Sequence, residues 1–158
     1  MEFEELMKGF GEKVGIKDLA PTEDGVYRFE IDDMSVSFLE VPETRQLVTW
    51  AVVGEPPLEG RERLYQVLME SMFMGKATGG STFSIDSDSG CIHLFRLDPL
   101  TLLDLDTFMP MLERFVNVLE EWRTIVADYR GVASKLEQDA AAEVENTRQV
   151  GMGGFLQV

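Results

Sequence analysis

Few residues in this chain carry the side chains that catalysis or metal binding requires. His93 is the single histidine and Cys91 the single cysteine. They stand two positions apart in an alternating stretch, so a regular strand would put both on one face. A Cys–His pair makes a thiolate nucleophile when a further group orients the base. No asparagine or glycine-rich elbow accompanies this pair, and a structural role is the favoured reading for both residues. One histidine cannot build a His-based zinc site from one chain.

Asp86-Ser87-Asp88-Ser89-Gly90 has the look of the start of a calcium loop. An EF-hand needs glycine at position 6 and a bidentate glutamate at 12. Counted from Asp86, the glycine arrives at 5 and position 12 is Leu97, so the stretch reads as a hairpin turn. Gly75-Lys76-Ala77-Thr78-Gly79-Gly80 is not a phosphate-binding loop: its lysine precedes the glycine pair and no strand leads into it. Glu4-Glu5 and Glu120-Glu121 belong on solvated helix faces. The expectation is a protein without catalysis, cofactor or metal.

The elements that would position these residues follow from periodicity. Phe3, Leu6, Met7, Phe10 and Val14 form one stripe of an amphipathic helix over about residues 2–14, with Gly15 beyond its end. The period then changes to two. Tyr27, Phe29 and Ile31 alternate with charged residues, and Met34, Val36 and Phe38 alternate with serines. Leu47 to Val53 makes a third strand, and short turns between the three make neighbours antiparallel. Arg61 to Met74 reads as a second helix. Thr82 to Asp86 and Cys91 to Leu97 read as a hairpin, stopped at Asp98-Pro99. A long helix follows over about 106–130, capped by Asp106 or Thr107, with Pro110 in its first turn. Residues 132–147 are polar and at most weakly helical, and Gly151 to Val158 is a glycine-rich end holding Phe155, Leu156 and Val158. The order α-β-β-β-α-β-β-α predicts an α+β two-layer sandwich with an antiparallel sheet, a domain over 1–131 and a C-terminal tail over 132–158.

Composition narrows the partners. The 158 residues suffice for one core, and 44% are hydrophobic. Acidic residues number 29 against 14 basic, a net charge of −15. Such a field repels phosphate backbones and anionic lipid, so nucleic acid and membrane surfaces are poor partners and basic clients good ones. A lone cysteine fits a reducing cytosol. The start lacks the pattern of a signal peptide and no apolar run could span a bilayer, so a soluble cytoplasmic protein is expected.

Apolar surface is in excess of what one core needs. The second helix carries two stripes, Leu64, Val67 and Leu68 on one side and Tyr65, Met69, Met72 and Phe73 on the other. A helix with two apolar sides needs two partners, and a second copy of the chain is the expected one, through Tyr65, Met69, Met72 and Phe73. Leu47 to Val53 is apolar on both strand faces, although a two-layer fold covers only one. Leu39 and Val41 face opposite to Met34, Val36 and Phe38. Phe3, Met7, Leu39, Val41, Leu47, Val48 and Trp50 are therefore the candidates for contact with a bound chain, with the exposed set of the third strand left open. The nine methionines suit an adaptable binding surface; for Met7 and Met69 core filling is the plainer role.

The ordered set from Leu64 to Arg123 resembles the Tir chaperone (CesT) family, the class I chaperones of bacterial type III secretion. The resemblance lies in a helix ending in Met72-Phe73-Met74-Gly75-Lys76-Ala77-Thr78-Gly79-Gly80, a hairpin turned at Asp86 to Gly90, then Pro99-Leu100, and a helix bearing Phe115-Val116 and Trp122-Arg123. Size, acidity and element order over about 2–130 agree with it; the tail does not take part. The resemblance implies a cytoplasmic bacterial homodimer that binds the extended N-terminal segment of one secreted effector, keeps it soluble and helps present it to the export apparatus, with no cofactor. Two other readings stand beside it. One is a chaperone-like interaction module outside any secretion system; the other is an enzyme or small-ligand protein built on Cys91, His93 and the acidic hairpin.

Overall fold

A computed structural model describes residues 2–16 and 19–152, with side chains as far as 131. The element order is the expected one. Helix α1 (Phe3–Val14) leads into strands β1 (Tyr27–Ile31), β2 (Met34–Val41) and β3 (Gln46–Gly54). Helix α2 (Arg61–Ser71), strands β4 (Thr82–Ile85) and β5 (Ile92–Pro99) and helix α3 (Leu105–Met152) follow. The five strands form one antiparallel sheet in the order β1-β2-β3-β5-β4.

All three helices send their apolar residues to the same sheet face. Phe3, Leu6, Met7 and Phe10 of α1, Leu64 and Leu68 of α2, and Phe108, Leu112, Phe115, Leu119, Trp122 and Val126 of α3 are buried. They meet Tyr27, Val36, Phe38, Leu47, Ala51, Ile92 and Leu94 of the strands. Phe10 is the hub: its ring stands edge-on to those of Phe29, Phe38 and Phe108 at centroid distances of 4.9, 5.9 and 5.4 Å. Trp122 ties α3 to the loop before β4, its indole N–H donating to the Ala77 carbonyl at 3.1 Å while its ring meets Phe83 edge-on.

Helix ends differ from expectation for local reasons. The α3 cap is Asp104, not Asp106 or Thr107: the Asp104 carboxylate accepts from the Thr107 N–H, and the Thr107 hydroxyl accepts from the Asp104 N–H, each at 2.9 Å. Pro110 therefore lies just past the first turn and offers no N–H to the Asp106 carbonyl. The backbone of α3 continues helical through the stretch expected to be weak, to Met152. Extending a helix that already exists carries no nucleation cost, and alanine and glutamate propagate it well. Phe155, Leu156 and Val158 lie outside the described residues. Helix α2 is shorter than expected because Met74 and Gly75 take φ of 63° and 66°, which an α-helix cannot hold. Strand β5 runs two residues past its expected end at Leu97, since Pro99 at a strand end gives up a single ladder bond.

The Asp104 cap gives a pH-dependent expectation. The Thr107 hydroxyl, then the Thr107 N–H, hold the Asp104 carboxyl below its ordinary range. A lowered folded pKa contributes stability above the unfolded value and loses it as pH falls through the folded one. Asp104→Ala should lower the melting temperature by a few degrees at neutral pH. That gap should narrow as pH falls well below about 4, the ordinary aspartate range. Parallel melting curves across pH check it; a gap independent of pH would mean that the charge plays no part.

Candidate protein-interaction surfaces

Strand pairing fixes which residues share the sheet face away from the helices. Leu39 pairs Val48, which pairs Leu97; Ser37 pairs Trp50, which pairs Phe95. Val52 pairs His93, which pairs Ser84. These three rows, with Val41 beside them, make a mostly apolar outer face across β2, β3 and β5. No helix lies over it among the described residues. Leu39, Val41, Val48, Trp50 and Phe95 are half-buried by one another, and Val52 and Leu97 are each 49% exposed. A bulge after Val52 ends the regular pairing, because Gly54 rather than Val53 sits opposite Ile92.

This resolves which set of β3 is exposed and corrects three expected contact residues. Leu47 belongs to the inner set with Thr49 and Ala51 and is fully buried. Phe3 and Met7 are also in the core, because α1 lies flat on the sheet with its whole stripe inward. None of the three is available to a partner. Leu39, Val41, Val48 and Trp50 lie together on the outer face. The sequence reading missed Val52, Phe95 and Leu97. The signal was the same one used for β3, since Ile92 and Leu94 alternate with a second apolar set in β5.

A second apolar patch runs from α2 to the edge strand β4. Met69 is 67% exposed and Phe73 78%, while Tyr65 and Met72 are half-buried. Core filling, the plainer expectation for Met69, does not hold; it does for Met7. Met72 is drawn in because its sulfur accepts from the Phe83 N–H at 3.2 Å. Tyr65, Leu68, Met69 and Met72 face Phe83, Ile85 and Ile92 across a groove of about 210 Å³. Tyr65, Met69 and Met72 thus share one side of α2 and its end with Ile85, and Phe73 stands exposed in the turn that follows.

Of the residues that could do chemistry, Cys91 and Asp86 are engaged in the hairpin turn, and His93 lines an open cleft with Asp86. Cys91 closes the hairpin turn outside β5, its N–H donating to the Ser89 hydroxyl and its carbonyl accepting from the Asp86 N–H. Asp86 is the turn's organiser. Its carboxylate accepts from the Asp88 N–H at 3.1 Å, the Ser89 N–H at 3.3 Å and the Ser89 hydroxyl at 2.6 Å. The Ser89 hydroxyl bond, first, holds the Asp86 carboxyl below its ordinary range. His93 faces outward between Val52 and Ser84. Among the described residues no three His, Cys, Asp or Glu side chains converge to hold a metal ion. Among them, too, no helix is long and apolar enough to cross a membrane.

Among the described residues, one apolar sheet face and one apolar side of α2 are left uncovered, the layout of a protein that binds other chains. Residues 5–123 match the model of the Tir chaperone protein (CesT) family. The chain belongs to that family, one of chaperones rather than enzymes, as its sequence led us to expect. A Chlamydia pneumoniae protein is 28% identical over 121 residues, covering 75% of this chain and 92% of the relative. Among solved structures, the ExsC–ExsE complex is similar at TM-score 0.68 and 20% identity, covering 80% of this chain and 97% of that one. The HopA1–SchA chaperone–effector complex follows at TM-score 0.60 and 18% identity, covering 82% and 93%. The Yersinia pestis type III secretion chaperone SycH, in complex with a fragment of YscM2, has TM-score 0.59 and 20% identity, covering 77% and 99%.

Proposed function

We propose that the chain works as a homodimeric type III secretion chaperone. It holds the extended N-terminal segment of a secreted effector on its outer sheet face, keeping it soluble and ready for the export apparatus. The outer face carries this reading: Leu39, Val48, Trp50, Phe95 and Leu97 form a continuous apolar surface that no helix covers among the described residues. An extended client drops alternate side chains onto such a face and can add backbone bonds at a sheet edge. The match to complexes of chaperones with effectors supports the class of partner. The net charge of −15 steers a basic segment toward the surface, while apolar burial sets its residence time. The patch on α2 is the proposed dimer contact.

The two contributions separate by kinetics once a client has been identified by co-purification from the native host and mass spectrometry. Raising salt from about 0.1 M to about 1 M shortens the screening length from about 10 Å to about 3 Å and should slow association. It should not strip a bound client. Leu39→Asp and Val48→Asp, whose side chains lie outside the core, should leave the fold intact and speed client dissociation by about 100-fold or more. Normal client binding by both variants, with salt alone releasing it, would overturn the apolar-face mechanism.

A further inference from the structure

The outer face is not uniformly apolar. Val48, Trp50, Ser84, Asp86, His93 and Phe95 line one open cleft of about 370 Å³. Trp50 and Phe95 are paired across β3 and β5 and give it an aromatic floor. Asp86, at the mouth of the β4–β5 turn, supplies its one carboxylate. The other charged side chains placed on the outer face by strand register, Arg28 and Glu30, belong to β1 at the opposite edge of the sheet.

The Asp86 carboxylate is fixed in place. Three of its bonds go to the turn, from the Asp88 N–H, the Ser89 N–H and the Ser89 hydroxyl. A carboxylate has about four lone-pair sites, so about one is left for a ligand. A fixed anion beside two aromatic rings suits a cation more than any other group. It repels carboxylate and phosphate, and a purely apolar side chain would bury its charge without compensation. Between the two cationic side chains the aromatic floor decides. A guanidinium is planar, weakly hydrated and stacks on tryptophan and phenylalanine, whereas an ammonium is a compact, strongly hydrated point charge.

We propose that this cleft seats an arginine of the bound client, its guanidinium stacked on Trp50 and Phe95 and donating to Asp86. The proposal rests on the outer face being the client surface and adds a specificity element to it. Register supplies a further constraint. In an extended client, residues two apart face the same way at about 6.6–6.8 Å. The spacing from Trp50 to Val48 along β3 is the same, and Val48 sits in an apolar row with Leu39 and Leu97. The client motif is therefore arginine with an apolar residue two positions away.

Three short fluorescent peptides test this, each alternating serine with leucine, with arginine, citrulline or leucine at the centre. Citrulline keeps the shape and removes the charge. The arginine peptide should bind about tenfold more tightly than the citrulline peptide. Asp86→Asn should reduce that ratio to about one and, because it removes the charge an apolar side chain would bury, should not weaken the leucine peptide. Trp50→Leu, which keeps an apolar floor and does not touch the turn, should also reduce the ratio, so a turn disturbed by Asp86→Asn does not decide the matter. Equal binding of arginine and citrulline peptides, or a ratio that neither substitution changes, would overturn the arginine site while the apolar client face stands. No binding of any of the three would overturn the client face and the arginine site with it.

Discussion

Phe10→Ala should lower the free energy of unfolding by about 3–5 kcal/mol. Phe10 is fully buried, and its ring makes edge-on contacts with Phe29 of β1, Phe38 of β2 and Phe108 of α3. Phe38 and Phe108 also meet each other, at 5.7 Å, so the rings brace one another and cannot collapse far into the space left behind. The loss combines the transfer of an aromatic side chain with a persistent cavity. Against a typical domain stability of about 5–15 kcal/mol it removes a large share. Phe10→Leu keeps most of the volume and should cost about 1.5 kcal/mol or little more. Urea unfolding of both variants measures the difference. A loss from Phe10→Ala no larger than that from Phe10→Leu would show that the aromatic cluster does not hold α1 to the sheet.

The second large effect concerns association. Met69 and Phe73 are among the most exposed large apolar side chains of the described residues; Met69 lines one groove with Tyr65, Met72 and Ile85, and Phe73 lies in the turn just after α2. In the proposed homodimer, two-fold packing of this surface would place each substitution twice in one interface. An uncompensated carboxylate buried there costs on the order of 3 kcal/mol, and Met69→Asp with Phe73→Asp introduces four per dimer. The double variant should sediment as a folded monomer at tens of micromolar (about the scale where an obligate dimer persists), with unchanged far-ultraviolet circular dichroism. A variant that still dimerises would move the interface elsewhere. A wild-type monomer at the same concentration would dispose of the homodimer altogether.

Element order and the helical side of the sheet were legible because they rest on short-range periodicity. The α1 stripe and the alternation in β1 and β2 turn inward the residues their spacing assigns, which are buried or, for Val14, Phe29 and Ile31, partly buried. What was not legible depended on strand neighbours. Nothing local says that β5 inserts between β3 and β4, and that insertion brings Phe95 and Leu97 beside Trp50 and Val48. Leu47 shows the same limit. With both faces of β3 apolar, choosing the inner one requires knowing that Thr49, fully buried with its hydroxyl unpaired, lies under the helices. Thr49 is the polar member of the Leu47, Ala51 and Val53 set, so composition alone would not put that set under the helices. The cap at Asp104 was missed for a simpler reason: Asp104, Asp106 and Thr107 are all good caps, and only the reciprocal bonds single out the first.

The strand order also has a kinetic meaning. Strands β1 to β3 form a local meander and β4 with β5 a local hairpin, so each can close early over short loops. Joining them requires β5 to find β3, a pairing that brings Trp50 to Phe95 across 45 positions of chain. Contacts of that separation form late, because their loop-closure entropy is met only once the local units exist. The aromatic floor of the outer face is built from one residue of each unit. A nascent chain with both units formed but undocked has no such floor. The capacity to hold another chain should therefore arise in the same step that completes the sheet, and a partly folded copy would be spared from capturing clients it could not yet protect.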